Sequence, residues 1–100
     1  MEKRTPHRKL SLVKELVKAN KVRATASAFN GASELGIYTL AGMCDVVLSL
    51  TMANFDKSMT THADHRIWQD VYKVVNQNGS DIYLKLTVIE DVLIVSFKEL

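Results

Sequence analysis

The C-terminal residues constrain the fold of this chain more than any other part of it. Ile82, Leu84, Leu86 and Val88 alternate with Tyr83, Lys85, Thr87 and Ile89, the period of a strand with one apolar face. After Glu90-Asp91 a second run, Val92-Leu-Ile-Val-Ser-Phe-Lys98, sets Leu93, Val95 and Phe97 on one side and Val92, Ile94, Ser96 and Lys98 on the other. Two such strands form a hairpin only if their apolar faces stay together, because a slip of one residue sends every side chain to the opposite face. A two-residue loop at Glu90-Asp91 satisfies this, with Leu86 opposite Val95 and Leu84 opposite Phe97. A four-residue loop gives the same register, and a three-residue loop mixes the faces. Both permitted loops place Tyr83 opposite Lys98 and Lys85 opposite Ser96, with Cβ atoms about 4.5–5.5 Å apart.

Upstream, Leu12, Val13, Leu16 and Val17 form an apolar helical stripe, with Ser11 placed as its N-cap and Asn20 at its end. A second helix is expected from about Thr25 to Leu35, with Gly36 at the position after its C-cap, although the internal Gly31 counts against it. The run Met43 to Leu50 is a buried strand or a helix. Thr51 to Lys57 reads as a capped helical turn, and the polar stretch from Ser58 to His65 as loop. Arg66 to Val75 fits a helix by spacing, but its β-branched and aromatic content favours a strand. Asn76-Gln-Asn-Gly-Ser80 is a turn signal. The expected fold is α+β: one domain over residues 1–100, with two N-terminal helices on the apolar face of an antiparallel sheet that ends in the hairpin.

Several function classes drop out. The single cysteine, Cys44, forms no internal disulfide and sits in an apolar run as a small buried hydrophobe. No apolar run approaches the roughly 20 residues of a membrane span, and the charged N-terminus lacks the apolar core of a signal peptide. The expectation is a soluble, cytoplasmic protein with no membrane partner. His62 and His65 flank Asp64, but their spacing needs a helix and no third ligand is evident, so no metal site is assigned. His7 falls in an N-terminal arm expected to be mobile. Residues 1–23 hold eight Lys or Arg against two Glu, a footprint that suits nucleic acid and equally a solvated helix face.

What remains is the far end of the hairpin. A tyrosine beside lysines on a sheet surface suits a phosphodiester. RNA cleavage by its own 2′-hydroxyl needs a base, charge stabilisation at the phosphorane and an acid for the 5′-oxygen. Lysines supply the second directly. Neighbouring cations lower a Lys or Tyr pKa towards the range useful for proton transfer. A Tyr–Lys pair that merely covers a sheet edge is the commoner case.

The opening Met-Glu-Lys-Arg-Thr-Pro-His, the central Lys57-Ser-Met-Thr-Thr61 with Asp64-His65 and Ile67-Trp68-Gln69-Asp70-Val71-Tyr72, and the closing Tyr83-Leu84-Lys85 through Asp91-Val-Leu-Ile-Val-Ser-Phe-Lys-Glu99 together resemble the MqsR family of motility quorum-sensing regulator toxins. The resemblance runs from end to end. It implies a RelE-like fold and ribosome-independent cleavage of mRNA near GCU-type sequences, with no metal and no cofactor. It also implies a partner, an MqsA-type zinc-containing, DNA-binding antitoxin. The family's catalytic positions fall on Lys57, Gln69, Tyr83 and Lys98, and Lys85, Lys73 and Met59 become the substrate contacts. Two of the four catalytic positions are the cross-strand pair found from register alone. The chain departs from the family pattern at Asp56, where a tyrosine is usual, which sets an anion beside Lys57. It departs again at Lys73-Val74, where Arg-Pro is usual. The rival reading is a nucleic-acid-binding regulator that does not cleave.

Overall fold

The computed structural model describes residues 1–75 and 79–100; the turn signal at Asn76–Asn78 lies outside them. In chain order the elements are β1 (Glu2–Lys3), α1 (Leu10–Lys18), β2 (Val22–Ala24), α2 (Ala26–Glu34), α3 (Leu40–Ser49), a 3₁₀ turn (Met52–Asn54), β3 (Phe55–Thr60), β4 (Trp68–Val75), β5 (Asp81–Ile89) and β6 (Asp91–Glu99). They form two layers, three helices against one face of a sheet ordered β1-β3-β4-β5-β6-β2. Every neighbouring pair is antiparallel except β2–β6. The fold is α+β as expected, with the open run Met43 to Leu50 resolved as the third helix. No helix among the described residues is long and apolar enough to cross a membrane.

The helices follow from local chemistry, with one shift of face. In α1 the core positions are Leu10, Val13 and Val17, with Leu16 packed beside them. Leu12, counted into the stripe from its neighbours, is 42% exposed. Ser11 lies inside the helix, which is capped instead by Lys9 without a side-chain bond. Asn20 ends the segment in the left-handed region at φ 61°, a conformation Asn tolerates better than most residues. In α2 the Thr25 hydroxyl accepts from the Ala28 N–H at 3.0 Å, and Gly36 after the C-cap takes φ 82°. Gly31, counted against this helix, is what lets it lie on the sheet. A Cβ there would stand 2.0 Å from the Phe97 carbonyl oxygen.

The hairpin corrects one part of the sequence reading. Tyr83 opposes Lys98, Lys85 opposes Ser96 and Leu84 opposes Phe97, as the alternation requires. Nearer the tip, however, Leu86 opposes Ile94 and not Val95, and Ile89 opposes Asp91 across Glu90, which sits at φ 64°. The tip thus takes the register that mixes faces, and a bulge at the Lys85/Leu86 shift restores it. The extra residue is Val95. As a result Val92 and Ile94 enter the core with Phe97, while Leu93 and Val95 do not. Thr25 secures the bulge: its N–H donates to the Ile94 carbonyl at 3.1 Å and its hydroxyl to the Val95 carbonyl at 2.9 Å.

Two more strands were hidden in polar sequence. Ser58 to Thr60, read as loop, is the end of β3, paired with β1 on one side and β4 on the other. The N-terminal arm is likewise built into the sheet. Beyond β1, the buried Asp70 carboxylate accepts the His7 N–H at 3.0 Å and the Arg8 N–H at 3.2 Å. The His7 ring stacks on Trp68 at 5.6 Å, with the Lys3 ammonium 4.1 Å from the Trp68 ring centre.

Candidate functional site: a cationic sheet face

Residues directly opposed across a sheet point to the same side, and side chains alternate along each strand. Met59 opposes Gln69, Lys57 opposes Val71, and Val71 opposes Lys85, which opposes Ser96. One row further on, Lys73 opposes Tyr83, which opposes Lys98. All seven residues expected to handle substrate therefore share one face, the face without helices. The residues between them, Ser58, Asp70, Tyr72, Leu84 and Phe97, turn to the other side and are buried. Val71 lies in the middle of the helix-free face and is still fully buried. The long polar side chains around it therefore cover it with their alkyl stems, in the usual way of lysine.

Tyr83 is the centre of the cluster. The Lys98 ammonium stands 5.3 Å from its ring centre and the Lys85 ammonium 5.9 Å. Burial lowers the pKa of Lys85, and the charges of Lys98 and Lys57 lower it further. Tyr83 goes the other way: burial raises its pKa, with the pull of Lys57 acting against it and Asp56 reinforcing it. Nearby cations thus tune Lys85 as expected, while for Tyr83 the loss of solvent outweighs them. The phenol keeps its proton near neutral pH and is available as a hydrogen-bond donor. Lys57 is held charged, its pKa raised by a hydrogen bond to Glu2 whose Nζ–Oε1 distance is 3.0 Å.

Asp56, the residue that departs from the family pattern, makes its ion pairs with other cations, although its charge adds to the raised pKa of Lys57. A bulge between Phe55 and Lys57 turns it aside. Its carboxylate lies 3.8 Å from Lys73 Nζ and 4.0 Å from Arg4 Nη1, and Arg4 also donates to the Asp56 carbonyl at 3.3 Å. Exposed pairs of this length contribute little stability, at most about 1 kcal/mol. Their consequence is local: the Lys73 ammonium already has an anionic partner.

No three His, Cys, Asp or Glu side chains come together to hold a metal among the described residues. His62 and His65 lie in a non-helical connection, and the Asp64 between them is held by Arg66 at 3.0 and 3.1 Å. The sequence reading missed Glu2 and Arg4. A two-residue strand has no period to detect, and only its pairing with β3 brings these side chains to the face.

A single layer of helices behind a sheet whose bare face gathers lysines around a protonated tyrosine defines a small α+β protein with a cationic sheet face. The comparisons make that class specific. The chain belongs to the MqsR toxin family: the family model described as "Motility quorum-sensing regulator, toxin of MqsA" matches residues 5–99. It is also 59% identical over 99 residues to the mRNA interferase toxin MqsR of Escherichia coli (strain K12), covering 99% of each chain.

Proposed function

We propose that this protein is the toxin of a toxin–antitoxin pair and an endoribonuclease that cleaves mRNA on its open sheet face, without ribosome or metal. The observation that carries the reading is the Tyr83 phenol between Lys85 and Lys98, with Lys57 on the same face, in a chain 59% identical to an mRNA interferase toxin. An open face suits a polymer, which needs no enclosing cavity.

In this mechanism the substrate's own 2′-hydroxyl attacks the adjacent phosphorus. Lys57 and Lys98 stabilise the charge that builds on the phosphorane oxygens, a contribution that grows as the charge develops. Tyr83 donates its proton to the departing 5′-oxygen. Gln69 and Met59, paired across β3 and β4, orient the nucleotide, while Lys85 and Lys73 hold flanking phosphates. The family resemblance directs cleavage to GCU-type sequences. It also names the partner, an MqsA-type antitoxin that carries zinc and binds DNA.

Expression of the protein alone is expected to arrest growth and deplete mRNA, and co-expression of the antitoxin to restore both. Unchanged growth and mRNA levels in cells that accumulate the folded protein would instead favour a non-cleaving nucleic-acid-binding regulator.

A further inference from the structure

Transfer of the phosphorus bond to the 2′-oxygen requires an acceptor for the 2′-hydroxyl proton, and the residues assigned so far do not provide one. Tyr83 holds its proton, Lys57 is held charged by Glu2 and Gln69 has no basic atom; Lys85, whose pKa is lowered, is assigned to a flanking phosphate, whose negative charge favours its protonated form. Two carboxylates pair with lysines of this face, while Asp81, opposite Val75, lies at its outer end. Asp56 is engaged by Lys73 and Arg4 beside the β3 bulge, with a side chain 26% exposed. Glu2 is different. It stands opposite Met59, which stands opposite Gln69, so one row of the helix-free face runs from β1 to β4 through these three residues. Its carboxylate is 3.0 Å from Lys57 Nζ, and its side chain is 54% exposed and open to substrate.

We propose that Glu2 is the general base of the cleavage reaction, delivered to the cationic face by the N-terminal strand. This rests on the ribonuclease reading above and completes it. The placement of β1 is built on both sides of Glu2. On one side the N-terminal ammonium donates to Thr60 Oγ1 at 3.3 Å, and the Thr60 N–H donates to the Met1 carbonyl at 3.0 Å. On the other, Lys3 lies over Trp68 with its ammonium 3.0 Å from His7 Nδ1, and Asp70 fastens the backbone of His7 and Arg8.

Substrate itself would make this carboxylate a better base. In the free protein the hydrogen bond from Lys57 and its charge depress the Glu2 pKa, with smaller contributions from Arg4 and the N-terminal ammonium. A phosphate that takes over Lys57 removes the first cause and sets a negative charge beside the carboxylate. Both changes raise its affinity for a proton. The 2′-hydroxyl proton passes to a Glu2 oxygen as the bond from O2′ to phosphorus forms. The bond from phosphorus to O5′ breaks, and O5′ takes the Tyr83 phenolic proton. Glu2 then loses a proton to solvent and the Tyr83 phenolate regains one, which returns the enzyme to its starting state.

The test is single-turnover cleavage of a defined RNA by the full chain and by Glu2→Gln, Glu2→Asp and Glu2→Ala, with binding and thermal melts measured alongside. Glu2→Gln is expected to melt like the parent and to bind RNA at least as tightly, since Lys57 is freed. It should cleave about a hundredfold or more slowly, the usual range for a lost general base. Glu2→Asp should retain part of the rate, and added formate should restore Glu2→Ala in proportion to its concentration. The parent rate should fall at the acid end as Glu2 takes up a proton, a limb absent from Glu2→Gln. A Glu2→Gln protein that binds more tightly but turns over at the parent rate would show that Glu2 only stands in for phosphate, and the proposal would be wrong. A rate loss that follows the melting temperature, with no rescue by formate, would overturn it as well. If the parent itself leaves the RNA intact, it is the ribonuclease reading that fails.

Discussion

Tyr83→Phe and Lys98→Ala are each expected to cut RNA cleavage by about a hundredfold or more, with stability changed by no more than about 1 kcal/mol. Stability is spared because of where the fold places the two side chains. Both side chains stand on the helix-free face, while the core is made by their neighbours Ile82, Leu84 and Phe97 on the other side. Lys98 is exposed, and Tyr83 is half-buried under lysine stems rather than packed against a helix. Phe keeps the ring that Lys85 and Lys98 flank and removes only the donor. Because the two groups act on one transition state, the double variant should lose less than the product of the single losses. Lys85→Ala, which removes a phosphate contact, should weaken RNA binding more than it slows the bound step. Single-turnover rates, binding isotherms and melts on these variants separate the effects. Cleavage at the parent rate by Tyr83→Phe, or unfolding of either single variant, would remove the pair from the site.

Of the four glycines, Gly31 should tolerate an added methyl (Gly31→Ala) least. Within an exposed helix the same change stabilises by about 1 kcal/mol, because glycine is a poor helix former. Here the added Cβ would lie 2.0 Å from the Phe97 carbonyl oxygen and 3.0 Å from its carbon. Both are backbone atoms of β6, so no rotamer change relieves the contact. Either α2 lifts off the sheet or β6 shifts, and β6 carries Lys98 at the next position. The overpacking should outweigh the gain in propensity and cost about 3 kcal/mol in all. For a domain of this size that is a drop of roughly 12–24 °C in melting temperature. A variant that melts within a few degrees of the parent, or above it, would show that helix and strand are not seated as closely as described.

The hairpin could be read because its core positions are large and apolar at a strict period of two. That period fixed the far register, and with it the Tyr83–Lys98 and Lys85–Ser96 pairs. It failed near the tip, because a bulge needs no particular residue to announce it and both faces of β6 there are apolar. The C-terminal end of α2 was legible, since Gly36 is chemically specific, and its start was placed at Thr25, which proves to be the N-cap. The close approach that requires Gly31 was not, because it depends on a strand more than sixty residues away. β3 was read as the end of a helical turn up to Lys57 and as loop from Ser58, for a plain reason: its buried positions are Ser58 and Thr60, so its alternation carries no hydropathy contrast.

The site shows the same division. Tyr83, Lys85 and Lys98 emerged from register, while Lys57, Gln69, Met59 and Lys73 came only with the family resemblance, since their strands had no clear period or were ambiguous. The structure joins the two sets through the shared face of β3, β4, β5 and β6. Glu2 and Arg4 belong to neither set. Glu2 reaches the face in a two-residue strand that pairs across more than fifty positions of sequence, and Arg4 follows just after it, a contact that no local pattern encodes.

The central claim is that this face cleaves RNA with the substrate's own 2′-hydroxyl and without a metal. The most direct measurement incubates the purified protein with a defined, end-labelled RNA in excess EDTA and identifies the new termini. The account predicts undiminished cleavage that leaves 2′,3′-cyclic phosphate and 5′-hydroxyl ends. Cleavage abolished by EDTA and restored by a divalent cation, or fragments bearing 5′-phosphates, would contradict it.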